Sequence, residues 1–266
     1  MKTLTVLVLL LSPLLLGACA PGLDKERTTA ASASMNESTI KLARGNLGSG
    51  DADTAIDLFN QVLKRDPGNF DARMGLGDAA LLQGQTETAH QYYVVAAQQF
   101  PNAPEPLLSM GRADIILRHL DVAERDYGKA RMMAPKDTRP LQGLGVVLDL
   151  QGRHLEAQNY YHEALTLRPD DVSVRSNLGL SLALSGNPRE AVNVLLDIAT
   201  ASNAPPQTRQ NLALAYGLAG NAEAAESILS NELERTAVEN DLKYYRLLRQ
   251  RMALAGAGPV PGGTQP

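Results

Sequence analysis

Residues 138–171 read TRPLQGLGVVLDLQGRHLEAQNYYHEALTLRPDD, and the chain repeats the pattern of that stretch every 34 residues. Its closing Pro169 follows Pro135, Pro101 and Pro67 at that same interval. Frames set on the interval run 36–69, 70–103, 104–137, 138–171, 172–205 and 206–239 without a slip. The twentieth position then reads Ala55, Ala89, Ala123, Ala157, Ala191 and Ala225. The eighth reads Ala43, Gly77, Gly111, Gly145, Gly179 and Ala213, and the seventh Leu42, Leu76, Met110, Leu144, Leu178 and Leu212. The twenty-fourth reads Phe59, Tyr93, Tyr127, Tyr161, Leu195 and Leu229. Self-similarity at this period is the signature of a stacked-repeat architecture.

Within each frame apolar residues recur at helical spacing in two stretches of about a dozen residues, so each frame predicts a helix pair. Small residues at positions eight and twenty mark where the two helices come closest, and the large residues at seven and twenty-four fill the space beside them. Gly50, Gly84, Gly152, Gly186 and Gly220 stand where the first helix must end in left-handed backbone. Asp51, Asn187 and Asn221 follow as N-caps, with Pro188 at a first helical position. The prolines of the 34-residue series close the second helices. Three departures stand out. Arg118 replaces a turn glycine, which predicts a looser or differently shaped turn. Asn203 and Ala237 replace the last two prolines, with Pro205 and Pro206 just after Asn203, so the last two junctions are expected to bend differently.

The order Leu-Gly, Ala, aromatic, Pro resembles the tetratricopeptide repeat over 204 of the 266 residues. The resemblance implies an all-α, right-handed solenoid of about six helix pairs, a class that offers a concave face to other proteins. Residues 240–255, with Leu242, Tyr245, Leu248 and Met252 at helical spacing, are expected to form a capping helix. The Gly- and Pro-rich tail, 256–266, is expected to be disordered.

Composition agrees with such a solenoid: the chain has no Trp and three Phe, and its net charge of −4 is spread over interspersed acids and bases. No basic stripe with aromatic platforms is present, which argues against nucleic acid as a partner. At the N-terminus Lys2 precedes an apolar run from Leu4 to Leu16, too short to span a bilayer and shaped like a secretory signal. Leu16-Gly17-Ala18-Cys19 resembles the bacterial lipobox, and Cys19 is the chain's only cysteine. That resemblance implies a lipoprotein signal peptide over 1–18 and lipidation of Cys19. The family's sorting rule, with Ala20 after the cysteine, implies an outer-membrane anchor facing the periplasm. The alternative is an ordinary signal beside an unrelated cysteine. Residues 19–35, small and polar after the cysteine, are expected to be a flexible tether reaching on the order of 20 Å.

The remaining residues offer little chemistry. His90, His119, His154 and His162 have no metal-ligand spacing with cysteine or paired carboxylates, so no metal site is expected. Gly75-Leu76-Gly77 and Gly143-Leu144-Gly145 superficially suggest phosphate loops, but no strand precedes either. Tyr92-Tyr93, Tyr160-Tyr161 and Tyr244-Tyr245 are better explained by core packing at position twenty-four than by a ligand box. No Ser/His/Asp constellation can be placed. The expectation is a protein that is not an enzyme, with no cofactor and no small-molecule substrate.

What remains is the groove that first helices line in the resembled family. Positions five and nine supply the candidate binding residues Ile40, Arg44, Met74, Asp78, Leu108, Arg112, Gln142 and Val146. The Lys/Asn/Arg clamp with which some members grip a C-terminal carboxylate is absent; only Asn177 and Asn211 recur, at position six. An apolar groove with a few charges suits an amphipathic helix or an apolar peptide segment. The leader, the repeat phasing of Gly145–Gly152 and the Tyr244-Tyr245-Arg-Leu-Leu-Arg closing helix resemble the TadD-type lipoproteins of tight-adherence (Flp-type) pilus assembly. That implies a pilotin-like factor binding the pilus secretin or another pilus assembly protein. A type IV pilus pilotin, or an adaptor for peptidoglycan enzymes or β-barrel assembly, are the alternatives in the binding class. A periplasmic hydrolase with its site spread over several repeats is the alternative from another class.

Overall fold

The computed structural model describes residues 21–256, which form thirteen helices with no strand among the described residues. The helices are α1 (Pro21–Gly48), α2 (Ala52–Arg65), α3 (Phe70–Leu82), α4 (Thr86–Gln99), α5 (Glu105–Ile116), α6 (Leu120–Met133) and α7 (Thr138–Leu150). Then come α8 (His154–Leu167), α9 (Val172–Leu184), α10 (Pro188–Thr200), α11 (Pro206–Ala219), α12 (Ala222–Leu229) and α13 (Arg235–Gly256). Each frame holds one helix pair, and consecutive pairs stack into a tetratricopeptide-repeat solenoid.

The second helices α2, α4, α6 and α8 each end two residues before a proline of the 34-residue series. A proline forces its predecessor out of helical backbone and has no N–H to donate, which fixes these ends. Two residues past three of those prolines, Asn69, Asp137 and Asp171 accept hydrogen bonds from the backbone N–H of Ala72 (3.0 Å), Arg139 (2.9 Å) and Val174 (3.1 Å). They start the next helix. Within repeats, Asp51 and Asn221 cap as expected, accepting from Thr54 and Ala224. Asn187 makes no such bond, and Pro188 fixes that helix start instead.

The turn at Arg118 is a correction to the sequence reading. All five turn glycines have φ between 73° and 93°, and Arg118 takes the same left-handed region at 64°. The hydrogen bond from His119 N to Asp114 O (2.8 Å) matches that from Arg153 N to Leu148 O (2.8 Å) in the next repeat. The turn is therefore neither looser nor differently shaped. It bears a backbone strain that a glycine would avoid.

Position twenty of every repeat is a fully buried alanine, and the position-twenty-four residues are all buried. Position eight is small for a specific reason. A Cβ on Gly77, Gly111, Gly145 or Gly179 would stand 2.3–2.7 Å from the side chain of Tyr93, Tyr127, Tyr161 or Leu195 in its own repeat. Gly75 and Gly143 press on the rings of the preceding repeat, where a Cβ would meet Phe59 at 2.2 Å and Tyr127 at 2.4 Å. Tyr127 thus lies between two glycine-bearing helices, α5 and α7. The Gly-x-Gly pairs are seats for aromatic rings.

The ends of the array depart from the columns. Leu76 packs on Ala55, Phe59 and Val62 of the preceding repeat, but no described repeat precedes α1, so Leu42 is 57% exposed. α1 itself starts at Pro21, so the part of the expected tether that is described, 21–35, is helix. No proline or glycine lies between Leu23 and Arg44 to interrupt it. Frame six also differs: α12 stops at Leu229, and α13 begins at Arg235 rather than at 240. Ser230 and Asn231 occupy the break, and Asn231 Nδ2 donates to Ser227 O (2.9 Å), a local bond that competes with helix continuation. α13 then packs on α11 and α12 as the next first helix would. Tyr245 fits against Gly217, with Leu242, Leu248 and Met252 on the same core-facing side.

Candidate partner-binding groove

α1 touches α3, α5 touches α7, α7 touches α9 and α9 touches α11, while no two second helices make comparable contact. First helices therefore crowd together on the inner side of the array and second helices spread on the outer side. The inner side between α3 and α7 holds a hollow of about 450 Å³. Met74 and Asp78 of α3, Leu108 and Arg112 of α5, and Gln142 and Val146 of α7 all line it. Six of the eight residues named from positions five and nine thus converge on one surface.

The floor is apolar, with Ile115, Gly143 and Tyr127 beside Met74, Leu108 and Val146. Burial, opposed by the nearby Arg112 charge and reinforced by Asp114, pushes the Tyr127 hydroxyl up to about 12, so it stays protonated. The charges sit at the rim and are tied across repeats. Arg112 lies 3.7 Å from Asp78, and Arg139 lies 3.5 Å from Glu105. Tyr93 donates to the same Asp78 oxygen at 2.7 Å. Gln142 donates to Ser173 of the following repeat at 2.6 Å. Such partly exposed pairs contribute little stability singly, roughly 0–1 kcal/mol, so a ligand's own charges can displace them at low cost.

The other two candidates lie elsewhere. Ile40 is 7% exposed and packs with Ala43, Phe59 and Leu76, and together with Arg44 it borders a separate hollow of about 550 Å³ beside α1. Arg44 is exposed and paired with Asp71 at 2.7 Å. Cys19 lies outside the described residues, as do 1–18 and most of the tail. Asn211, which recurs with Asn177 at position six, is buried and donates to Ser176 Oγ at 3.1 Å, so it joins two repeats.

Sequence reasoning missed two polar clusters, one around Asp149 and one around Asp114. Asp149 accepts from Tyr161 Oη (2.9 Å) and Ser181 Oγ (2.7 Å), with His154 Nδ1 at 2.8 Å. Asp114, 2% exposed, stands between His119 Nδ1 (3.3 Å) and His90 Nε2 (3.4 Å). The available signal was an Asp five residues before a His across the turn, in Asp114–His119 and again in Asp149–His154. Desolvation, and then the Asp149 charge, raise the Tyr161 hydroxyl well above its usual range, so it remains a donor.

The tetratricopeptide repeat family profile matches residues 40–104 and 143–207. No curated protein matches the sequence. Among solved structures, a chain of the APC/C hetero-tetramer Cut9–Hcn1 is similar at 19% identity and TM-score 0.70, over 79% of this chain and 43% of that one. This chain therefore spans under half the length of that relative. Pseudomonas aeruginosa PilF is similar at 17% identity and TM-score 0.65, over 85% of this chain and 99% of that one. A thermophilic repeat protein of Thermus thermophilus is similar at 20% identity and TM-score 0.60, over 68% and 98%. Likenesses at these identities carry the fold and no role.

Proposed function

Starting from a chain that carries tetratricopeptide repeats and has their protein-interaction architecture, we propose that it is a pilotin-like scaffold for tight-adherence (Flp-type) pilus assembly. In this reading a lipid on Cys19 holds the protein at the outer membrane, facing the periplasm. The inner groove captures a segment of the pilus secretin or of another pilus assembly protein. The observation that carries the reading is the convergence of Met74, Leu108 and Val146 on one apolar floor, rimmed by Asp78, Arg112, Glu105 and Arg139. An amphipathic helix with apolar residues one turn apart would lay them on that floor and exchange charges with the rim. The groove needs no chemistry for this role, only a shaped surface and an anchor.

The test is a crosslinked pull-down from the native envelope of the pilus-bearing cell. Met74→Glu with Leu108→Glu buries two carboxylates against the captured segment and should abolish recovery of the secretin while helicity is unchanged. Undiminished recovery would move the binding face elsewhere. Cys19→Ser serves as the separate anchor arm. A variant that still fractionates with the outer membrane would remove the lipid from the reading and leave the groove untouched.

A further inference from the structure

α13 closes the array with one side and turns the other to solvent. At 100° per residue, Val238, Leu242, Tyr245, Leu248 and Met252 share the inward arc. Lys243, Tyr244, Arg246, Leu247, Arg251 and Leu254 share the outward arc, and all six are exposed. Tyr244 is 58% exposed, Leu247 51% and Leu254 78%, which sets three large apolar side chains on one solvent-facing strip. Scattered singly they would be ordinary.

Their charged neighbours set them apart. From Leu242 to Gly256 the helix carries Lys243, Arg246, Arg249 and Arg251 and no acid, in a chain whose net charge is −4. Among the described residues none of the four is in an ion pair, and the one exposed acid on this arc, Glu239 in the first turns of the helix, is held by Arg235 at 3.0 Å. Arg249 turns back toward Gly220 at the end of α11, so the open face carries Lys243, Arg246 and Arg251 interleaved with Tyr and Leu.

We propose that the outward face of α13 docks on an anionic lipid surface, independently of the groove and of Cys19. Lysine and arginine approach headgroup phosphates while their stems, with Leu247, Leu254 and the amphipathic Tyr244 ring, enter the boundary beneath them. A leaflet supplies what this arc complements: negative charge spread over a plane with apolar depth below. An acidic protein surface offers the charge without the depth. A single exposed tyrosine is no stacking platform for nucleic acid. Because the helix is clamped to α11 and α12, docking needs no folding step and sets the orientation of the whole array against the surface.

Co-sedimentation with vesicles tests this on the chain from Ala20 onward, since every core contact described above lies within that segment. Binding to phosphatidylglycerol vesicles and not to phosphatidylcholine vesicles is expected, with loss in high salt. Lys243→Glu with Arg246→Glu and Arg251→Glu should weaken it by at least about 100-fold, from the attraction of each cation to an anionic leaflet. Tyr244→Ser with Leu247→Ser should weaken it separately, at unchanged helix content. Equal binding to neutral vesicles, no binding to phosphatidylglycerol, or indifference to salt each overturns the proposal. Binding of polyglutamate by a chain that ignores the vesicles would assign the face to an acidic protein and overturn it as well.

Discussion

Gly145→Ala puts one methyl carbon where Tyr161 already stands. The added Cβ would lie 2.3 Å from Cε1, 2.6 Å from Cζ and 2.8 Å from Cδ1 of that ring. The ring cannot easily retreat, because it is 1% exposed and its hydroxyl is held by Asp149 at 2.9 Å. Overpacking of this kind costs about 1–3 kcal/mol, and a ring fixed at both ends places it in the upper part of that range. Alanine regains about 1 kcal/mol over glycine in a helix interior. The net expectation is a loss of about 1–2 kcal/mol, at about 2–4 °C of melting temperature per kcal/mol for a chain of this size. Gly128→Ala is the control: it lies inside α6 with nothing within 4 Å of its Cβ position, so it should stabilise by up to about 1 kcal/mol. Urea unfolding followed by circular dichroism gives both signs. In a Tyr161→Ala background the collision partner is gone and Gly145→Ala should become neutral or stabilising. If Gly145→Ala stabilises the otherwise unmodified chain as Gly128→Ala does, the account of position eight is wrong.

Arg118→Gly should stabilise by about 1 kcal/mol, because it releases a non-glycine residue from φ 64° in a turn whose hydrogen bonds are already those of the glycine turns; a lower urea midpoint would refute this. At Asp137 burial pushes the carboxyl up, but hydrogen bonds from Arg139, and then the charges of Arg139 and Arg168, hold it below the ordinary carboxylate range. A depressed folded value means the contribution is present above the unfolded value of about 4 and lost as pH falls through the folded one. Stability should therefore drop on acidification below about pH 4, and Asp137→Asn should flatten that slope; an unchanged slope would show that other carboxylates carry it.

Most of the fold was legible because each repeat's helices are specified locally. Proline ends a second helix wherever it falls, and a position two past it can cap the next helix in any context. The ring seats were half legible: small residues at position eight marked a close approach. That Gly143 receives a ring from the preceding repeat depends on how repeats stack. Arg118 misled because a hydrogen-bonded turn can impose left-handed backbone on a residue that disfavours it. Leu42 and the short α12 departed from their columns because the ends of an array lack the neighbour that gives a column its meaning.

The periodicity by itself determined the helix pairs, their order and the alanine and glycine contacts, while the side of each first helix proposed to bind came from the family resemblance. Only the tertiary structure decided that Met74, Leu108 and Val146 share a floor while Ile40 and Arg44 border a separate hollow. It alone left Lys243, Arg246 and Arg251 of α13 unpaired on an open face. Helical period fixes where a side chain stands around its own axis. Convergence, and access to solvent, depend on the angle between successive repeats and on where the stack stops.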